Sequence, residues 1–330
     1  MSRMQRVCFV VGERPHCIWL ADPIGRNVEF LRSLDSGYFE YLARLHSEQL
    51  AGDSRMAAAI ALRLAYSQAM ETLFALLCAT VQSPMCVFGW LGRYSNGELR
   101  ATVEKISRGD DLMTVVRERP VTWESLSQRV HAGVIAGDEE KQSWLVAGYE
   151  CAWARLASDF LDAKVRDEYN CIKHGSRAIP GGFSFKFGEW APAGSEYGSR
   201  FFAVEEVEKG SHNFFVHLNG LNWSPVKLAE RLHLISASIS NVVNWLLLLF
   251  GQPITPGVFR YPDDPQGFQS PWDDGIQATT MDFRYGFVKS SIRLLSRDEI
   301  LGEYREYSMQ YRPEPGGDAA SGPPVARPSD

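Results

Sequence analysis

Apolar residues recur along this chain at two different periods, and the switches between them mark out its elements. Residues 7–11 and 17–21 are short β-branched or aromatic runs around the turn-forming Gly12-Glu13-Arg14-Pro15, a pattern that predicts a hairpin or isolated edge strands. Helical spacing then takes over. It covers 38–49 and a long Ala- and Leu-rich stretch at 55–81, apolar on nearly every face and interrupted by Glu71. A helix of that kind belongs at the centre of a bundle. Ser95-x-x-Glu98 has the form of a capping box opening a helix through Lys105, and Thr122 is placed to cap another over 123–136. Residues 142–163 and the charged run up to His174 read as one long or kinked helix.

After Pro180, Gly181 and Gly182 the period shortens. Phe183-Ser184-Phe185-Lys186-Phe187 alternates aromatic with polar, and 201–207 and 213–218 repeat the β-like texture, which predicts a small antiparallel sheet inserted at about 183–220. Ser224-Pro225 starts a second core helix, with Leu228, Leu232, Ile235, Ile239, Val242 and Leu246 three or four residues apart. From 251 to 275 dense proline and glycine predict a surface-wrapping loop. One or two strands are expected within 276–295, and Ser296-x-x-Glu299 opens a last helix to about Arg312. The expected organisation is mainly α: short N-terminal strands and a short helix over 1–34, a helical bundle with the inserted sheet over 35–250, a proline-rich wrap with a C-terminal helix over 251–312, and a disordered tail over 313–330.

Composition narrows the function classes. A chain of 330 residues, 45% hydrophobic and 22% charged, has the makeup of a folded globular protein. A formal net charge of −6 argues against a surface that is wholly a nucleic-acid or anionic-membrane docking face, while leaving a local basic patch open. Cys8, Cys17, Cys78, Cys86, Cys151 and Cys171 form no C-x-x-C pair, as expected for reduced thiols in a cytosol. The longest apolar run, 242–250, is about half a membrane span and contains Asn244. A cytoplasmic protein with no membrane partner is expected.

Candidate chemistry concentrates between Arg166 and Arg177. Arg166, Asn170 and His174 fall at i, i+4 and i+8 on a helix and Lys173 completes the same arc, opposite an apolar stripe of Leu161, Val165, Tyr169 and Ile172. Guanidinium and ammonium groups supply donors for phosphate oxygens, an imidazole can accept a proton from a hydroxyl, and an amide can orient either. A polar stripe also arises from solvation alone, and Lys173 and His174 precede Gly175, where cations favour a helix C-terminus.

The stretch Arg166-Asp167-Glu168-Tyr169-Asn170-Cys171-Ile172-Lys173-His174-Gly175 resembles the arginine-to-histidine motif of HEPN-type helical bundles, in particular variants ending Asn-x-x-Lys-His. The helical layout over 38–250 is similar to theirs. The resemblance implies a metal-independent endoribonuclease without cofactor, composed across a homodimer and acting on RNA. Arg166 would stabilise the scissile phosphate and His174 would assist attack of the ribose 2′-hydroxyl. Asp167 would be the polar partner, with Asn170, Lys173 and Arg177 positioning the substrate. The interval between Arg166 and His174 is longer than the family's usual one and sets them about two turns apart, roughly 12 Å along the axis. Glu71, on the central helix, is a candidate supporting carboxylate for Arg166 or Arg177, with Arg63 or solvent exposure as the alternatives. The alternative function is a non-catalytic helical module that binds a protein or a nucleotide.

Other signals are weaker. His212 and His217 point to opposite faces of one strand, Cys171 and His174 lack a second metal-ligating pair, and no phosphate-loop or nucleophile-elbow pattern is present. Asp263, Asp264, Asp273 and Asp274 fit solvated turns better than a metal site.

Overall fold

The computed structural model describes residues 4–115, 120–135, 137–174, 177–186, 188, 193–206, 214–253, 257–288, 297–299 and 301–302. The chain forms two compact units. Residues 1–204 and 216–285 make the first, which holds every feature discussed below. The second comprises 205–215 and 286–330, where the described residues are strand ends at 205–206, 214–215 and 286–288 and short helical pieces at 297–299 and 301–302. Phe187, residues 207 and 213 at the ends of two expected strands, His212, most of the last helix and the tail over 313–330 lie outside the described residues.

The chain opens with a hairpin of β1 (Gln5–Val11) and β2 (Arg14–Leu20), its turn made by Gly12 at φ 60° and Glu13. That turn is docked: the Gly12 amide donates to Gln82 Oε1 at 3.2 Å, and Gln82 Nε2 donates to the Gly12 carbonyl at 2.8 Å. Then follow α1 (Pro23–Ser33), capped by Asp22, and α2 (Tyr38–Glu48). The central α3 (Arg55–Gln82) comes next, and after it α4 (Val87–Leu91) and α5 (Asn96–Arg108). The Ser95/Glu98 capping box is present in full, and α5 continues past Lys105 to a left-handed Gly109. Helix α6 (Trp123–His131) carries the Thr122 cap but stops five residues short of the expected 136.

The expected long or kinked helix up to His174 is two helices that meet at a single residue. Helix α7 (Glu139–Leu161) ends and α8 (Ala163–Lys173) begins at Asp162, whose extended backbone and side chain, accepting from Lys164 and Val165 amides, make it an N-cap. The inserted sheet is larger than the alternating segments suggested. Strands β3 (Ala178–Pro180), β4 (Ser184–Phe185), β5 (Ala193–Gly194), β6 (Gly198–Glu206) and β7 (Phe214–Asn222) precede α9 (Pro225–Leu249). β8 (Thr280–Val288) returns from the far side of the proline-rich segment, so the sheet order is β3-β6-β7-β8. Of the Phe183–Phe187 alternation, the described residues contribute a two-residue strand paired with β5, and a Cβ at Gly182 or Gly194 would meet neighbouring backbone. The molecule is thus mainly helical with small antiparallel sheets.

The core is organised around α3, which packs on α9, α2, α4 and α5. Trp90, Trp153, Tyr66, Tyr149, Phe74 and Phe201 are its largest fully buried side chains, each worth about 1.5–3 kcal/mol by area removed from water. Their polar atoms are satisfied: Trp90 Nε1 donates to Gln82 Oε1 and Trp153 Nε1 to Ser238 Oγ, both at 3.0 Å. By length and composition α3 and α9 are each long and apolar enough to cross a membrane, with 78% and 61% of the relevant windows buried in the fold. An uninterrupted-run criterion misses both helices, because isolated polar residues such as Asn244 punctuate them. The wrap is more deeply engaged than a surface loop. Phe268 is buried against Gly148 and Tyr149, and the Arg260 carbonyl accepts from Asn241 Nδ2 at 2.7 Å.

Candidate functional site

Helix α8 is held by a residue that the polar stripe does not include. Glu168 is buried to 1% exposure, and its Oε2 receives Arg63 Nε at 2.7 Å and Nη2 at 2.6 Å from α3. Its Oε1 accepts from Trp223 Nε1 at 2.9 Å and from the Ser199 hydroxyl. Arg63 also lies over the rings of Tyr66 and Trp223. Burial pulls the guanidinium down, but the Glu168 charge and hydrogen bonds outweigh it and leave Arg63 above its ordinary range. One buried ion pair therefore ties α3, α8, β6 and the entry to α9 together. The signal was available in the sequence: Val165, Glu168 and Ile172 share the i, i+3, i+7 spacing of the apolar side.

With Glu168 turned inward, Arg166 and Asn170 are turned into a cleft between α3, α5 and α8. The cleft has a volume of about 160 Å³. Met70, Leu99, Phe160 and Val165 form its apolar part, while Glu71, Asn96, Arg100, Arg166, Tyr169 and Asn170 bring polar groups to it. Arg100, unremarked in the sequence, is its second cation. Its guanidinium donates to the Phe160 carbonyl and, at 2.6 Å, to the Leu161 carbonyl at the end of α7, and lies 5.3 Å from the Phe160 ring centre. Among the described residues no carboxylate stands within ion-pair distance of Arg100. Burial first, and repulsion from Arg166 second, hold it below its ordinary range. Two guanidiniums and the Glu71 carboxylate therefore share one cleft.

The remaining candidates fall in different places. Asp167 holds Arg166, its Oδ1 lying 2.9 Å from both Nε and Nη2. Glu71 is half-buried in the same cleft wall as Arg166, without an ion pair to Arg166 or Arg177. Its neighbour is the Tyr94 hydroxyl at 3.5 Å, and Arg63, the alternative partner, is committed to Glu168. Burial, followed by the Glu71 charge and hydrogen bond, pushes Tyr94 up to about 12, and burial likewise raises Tyr169, so both remain hydroxyl donors at neutral pH. Lys173 folds back 5.3 Å from the Tyr169 ring centre. His174 is the exposed C-cap of α8, its amide donating to the Asn170 carbonyl at 3.0 Å, and is not in the cleft wall. Arg177 lies beyond the helix, exposed, with its amide on the Cys171 carbonyl at 2.8 Å. The stripe is therefore divided: Arg166 and Asn170 face the cleft, and Lys173, His174 and Arg177 do not. The cleft lies against α8 from Val165 to Asn170, and the helix ends at Lys173, before His174 and Arg177.

His217 is bound at Nδ1 to Asp282 Oδ1 at 2.9 Å across the sheet. Asp264 and Asp274 accept backbone amides in turns. Among the described residues no group of three or more His, Cys, Asp or Glu side chains is placed to hold a metal ion. No family model, curated protein or solved structure matches the chain.

Proposed function

We propose that this chain is a HEPN-like helical module that binds a phosphate-bearing ligand in the cleft between α3, α5 and α8, without cleaving it as a single subunit. The observation that carries this reading is the convergence of Arg100 and Arg166 on one cleft with Asn96 and Asn170 beside them. Forked guanidiniums and amide donors suit phosphate oxygens. The cleft's volume of about 160 Å³ is well below the roughly 300 Å³ at which whole drug-sized ligands are accommodated. It therefore takes a phosphoryl group at the end of a larger molecule, such as a nucleotide or an RNA terminus, rather than the whole molecule.

Ribonuclease chemistry requires a proton acceptor beside the phosphate. His174 lies about two helical turns from Arg166 along the same rod, roughly 12 Å. On this reading a catalytic site would require a second copy of the chain to bring its own imidazole to the cleft. The HEPN likeness rests on the residues from Arg166 to Gly175 and on the helical layout over 38–250.

Titration calorimetry with inorganic phosphate, AMP, ATP and a 5′-phosphorylated oligoribonucleotide tests the proposal. Binding should fall at least tenfold in Arg100→Ala and in Arg166→Ala and stay unchanged in His174→Ala. Absence of binding by every probe, or binding indifferent to both arginines, would overturn it. Metal-free RNA cleavage abolished by His174→Ala would restore the endoribonuclease reading.

A further inference from the structure

The hairpin carries a feature independent of the cleft. In the β1–β2 register Cys8 stands directly opposite Cys17, and both thiols are free and exposed. The two-residue turn makes Val11 and Arg14 a hydrogen-bonded pair, and pairs alternate from there along an antiparallel ladder. Val10–Pro15 is then a non-bonded pair, as it must be because Pro15 has no N–H to give. Phe9–His16 is bonded and Cys8–Cys17 non-bonded. Opposed Cα atoms in non-bonded pairs are about 4.5 Å apart with side chains on one face, inside the window of about 4.4–6.8 Å that a disulfide spans.

Two further observations single this pair out from the other four cysteines. Arg6, one pair further along on the same face, donates from Nε to Cys17 Sγ at 3.2 Å, setting a positive charge against a sulfur that turns negative when it attacks. The turn is clamped by Gln82, and Lys105 reaches Glu13 Oε1 at 2.5 Å, so the strands hold their register without the covalent link. By contrast Cys78 and Cys86 are buried, with burial raising both thiols, and Cys151 and Cys171 lie on α7 and α8.

We propose that Cys8 and Cys17 are a reversible oxidation site that closes to a cross-strand disulfide on reaction with a hydroperoxide. The Cys17 thiolate attacks one peroxide oxygen, the O–O bond breaks, and Cys17 becomes a sulfenic acid. The Cys8 sulfur then attacks Cys17 Sγ, forming the S–S bond and expelling hydroxide. The two thiols give up two electrons and two protons, and the peroxide leaves as two waters (or as water and an alcohol). Both sulfurs are exposed, so a small thiol can reach the bond and reduce it.

The test uses the reduced full-length chain, hydrogen peroxide, and peptide mass spectrometry after cleavage at glutamate, since Glu13 lies between the two cysteines. The expected result is one disulfide joining the Cys8 and Cys17 peptides within a monomer, about 2 Da lighter than the reduced pair and reversed by glutathione. In Cys8→Ser the reaction stops at a Cys17 sulfenic acid that dimedone traps. Arg6→Ala is oxidised about threefold to fivefold more slowly, the effect of removing one charge beside a solvated sulfur. Cys151→Ser is oxidised as the wild type is. A disulfide to any other cysteine or between two molecules, or Cys8→Ser without a trapped Cys17, would overturn the proposal.

Discussion

Replacing Glu168 by glutamine keeps the shape of the side chain and removes the charge that Arg63 faces. The pair is dry, with 6% and 1% of the two side chains exposed, so water cannot replace the lost partner. A glutamine also has one acceptor oxygen for donors arriving from Arg63 on one side and from Trp223 and Ser199 on the other. Breaking a buried pair from one side costs about 3–5 kcal/mol, against about 0–1 kcal/mol for an exposed one. Total stabilities are about 5–15 kcal/mol, so Glu168→Gln should remove a large fraction and lower the melting temperature by about 4–9 °C. Urea titration followed by circular dichroism measures the loss. Glu104→Gln, which breaks the exposed Arg108 pair, is the control and should stay within about 0.5 kcal/mol of wild type. The double variant Arg63→Met/Glu168→Leu should recover part of the loss, because it leaves no buried charge, but not all, because Trp223 and Ser199 still lose their acceptor. A Glu168→Gln protein within about 1 kcal/mol of wild type would refute the claim that this pair anchors the helix carrying Arg166 and Asn170.

Other parts of the structure make their own predictions. His131 is fully buried on the Tyr149 ring, and burial lowers it to about 3, so the unfolded chain takes up the proton first as pH falls. Its contribution is complete above its unfolded value of about 6.5 and is lost downward toward its folded one, about 2 kcal/mol between pH 6.5 and pH 5. His131→Asn should flatten that part of the pH–stability curve, and an unchanged slope would contradict the assignment. Gly148→Ala places a Cβ 2.4 Å from the ring of buried Phe268 and should destabilise by about 1–3 kcal/mol despite alanine's better helix propensity; a stabilised variant would show that the wrap moves freely. Glu71→Gln removes a negative charge from the cleft and should tighten phosphate binding severalfold in calorimetry, whereas weakened binding would mean that Glu71 organises the donors.

Much of the scaffold was legible in the sequence, because its signals are local. The hairpin turn at Gly12, the Ser95/Glu98 box, the Ser224-Pro225 start and the spacing of α3 and α9 each act within a few residues. The break at Asp162 was harder to read, since its cap competes with apolar spacing that continues across it. The segment around Arg166 stood out for the same local reason, as a polar arc on one helix. Periodicity says which residues share a face but not what that face meets. Tertiary packing decided that Glu168 turns inward to Arg63, that Arg100 arrives from α5 to face Arg166, and that His174 lies outside the cleft. It also set Cys8 against Cys17 across a hairpin. The first of these depends on residues 105 apart in sequence meeting at hydrogen-bond range, where burial and neighbouring charge, rather than residue type, determine what a side chain does.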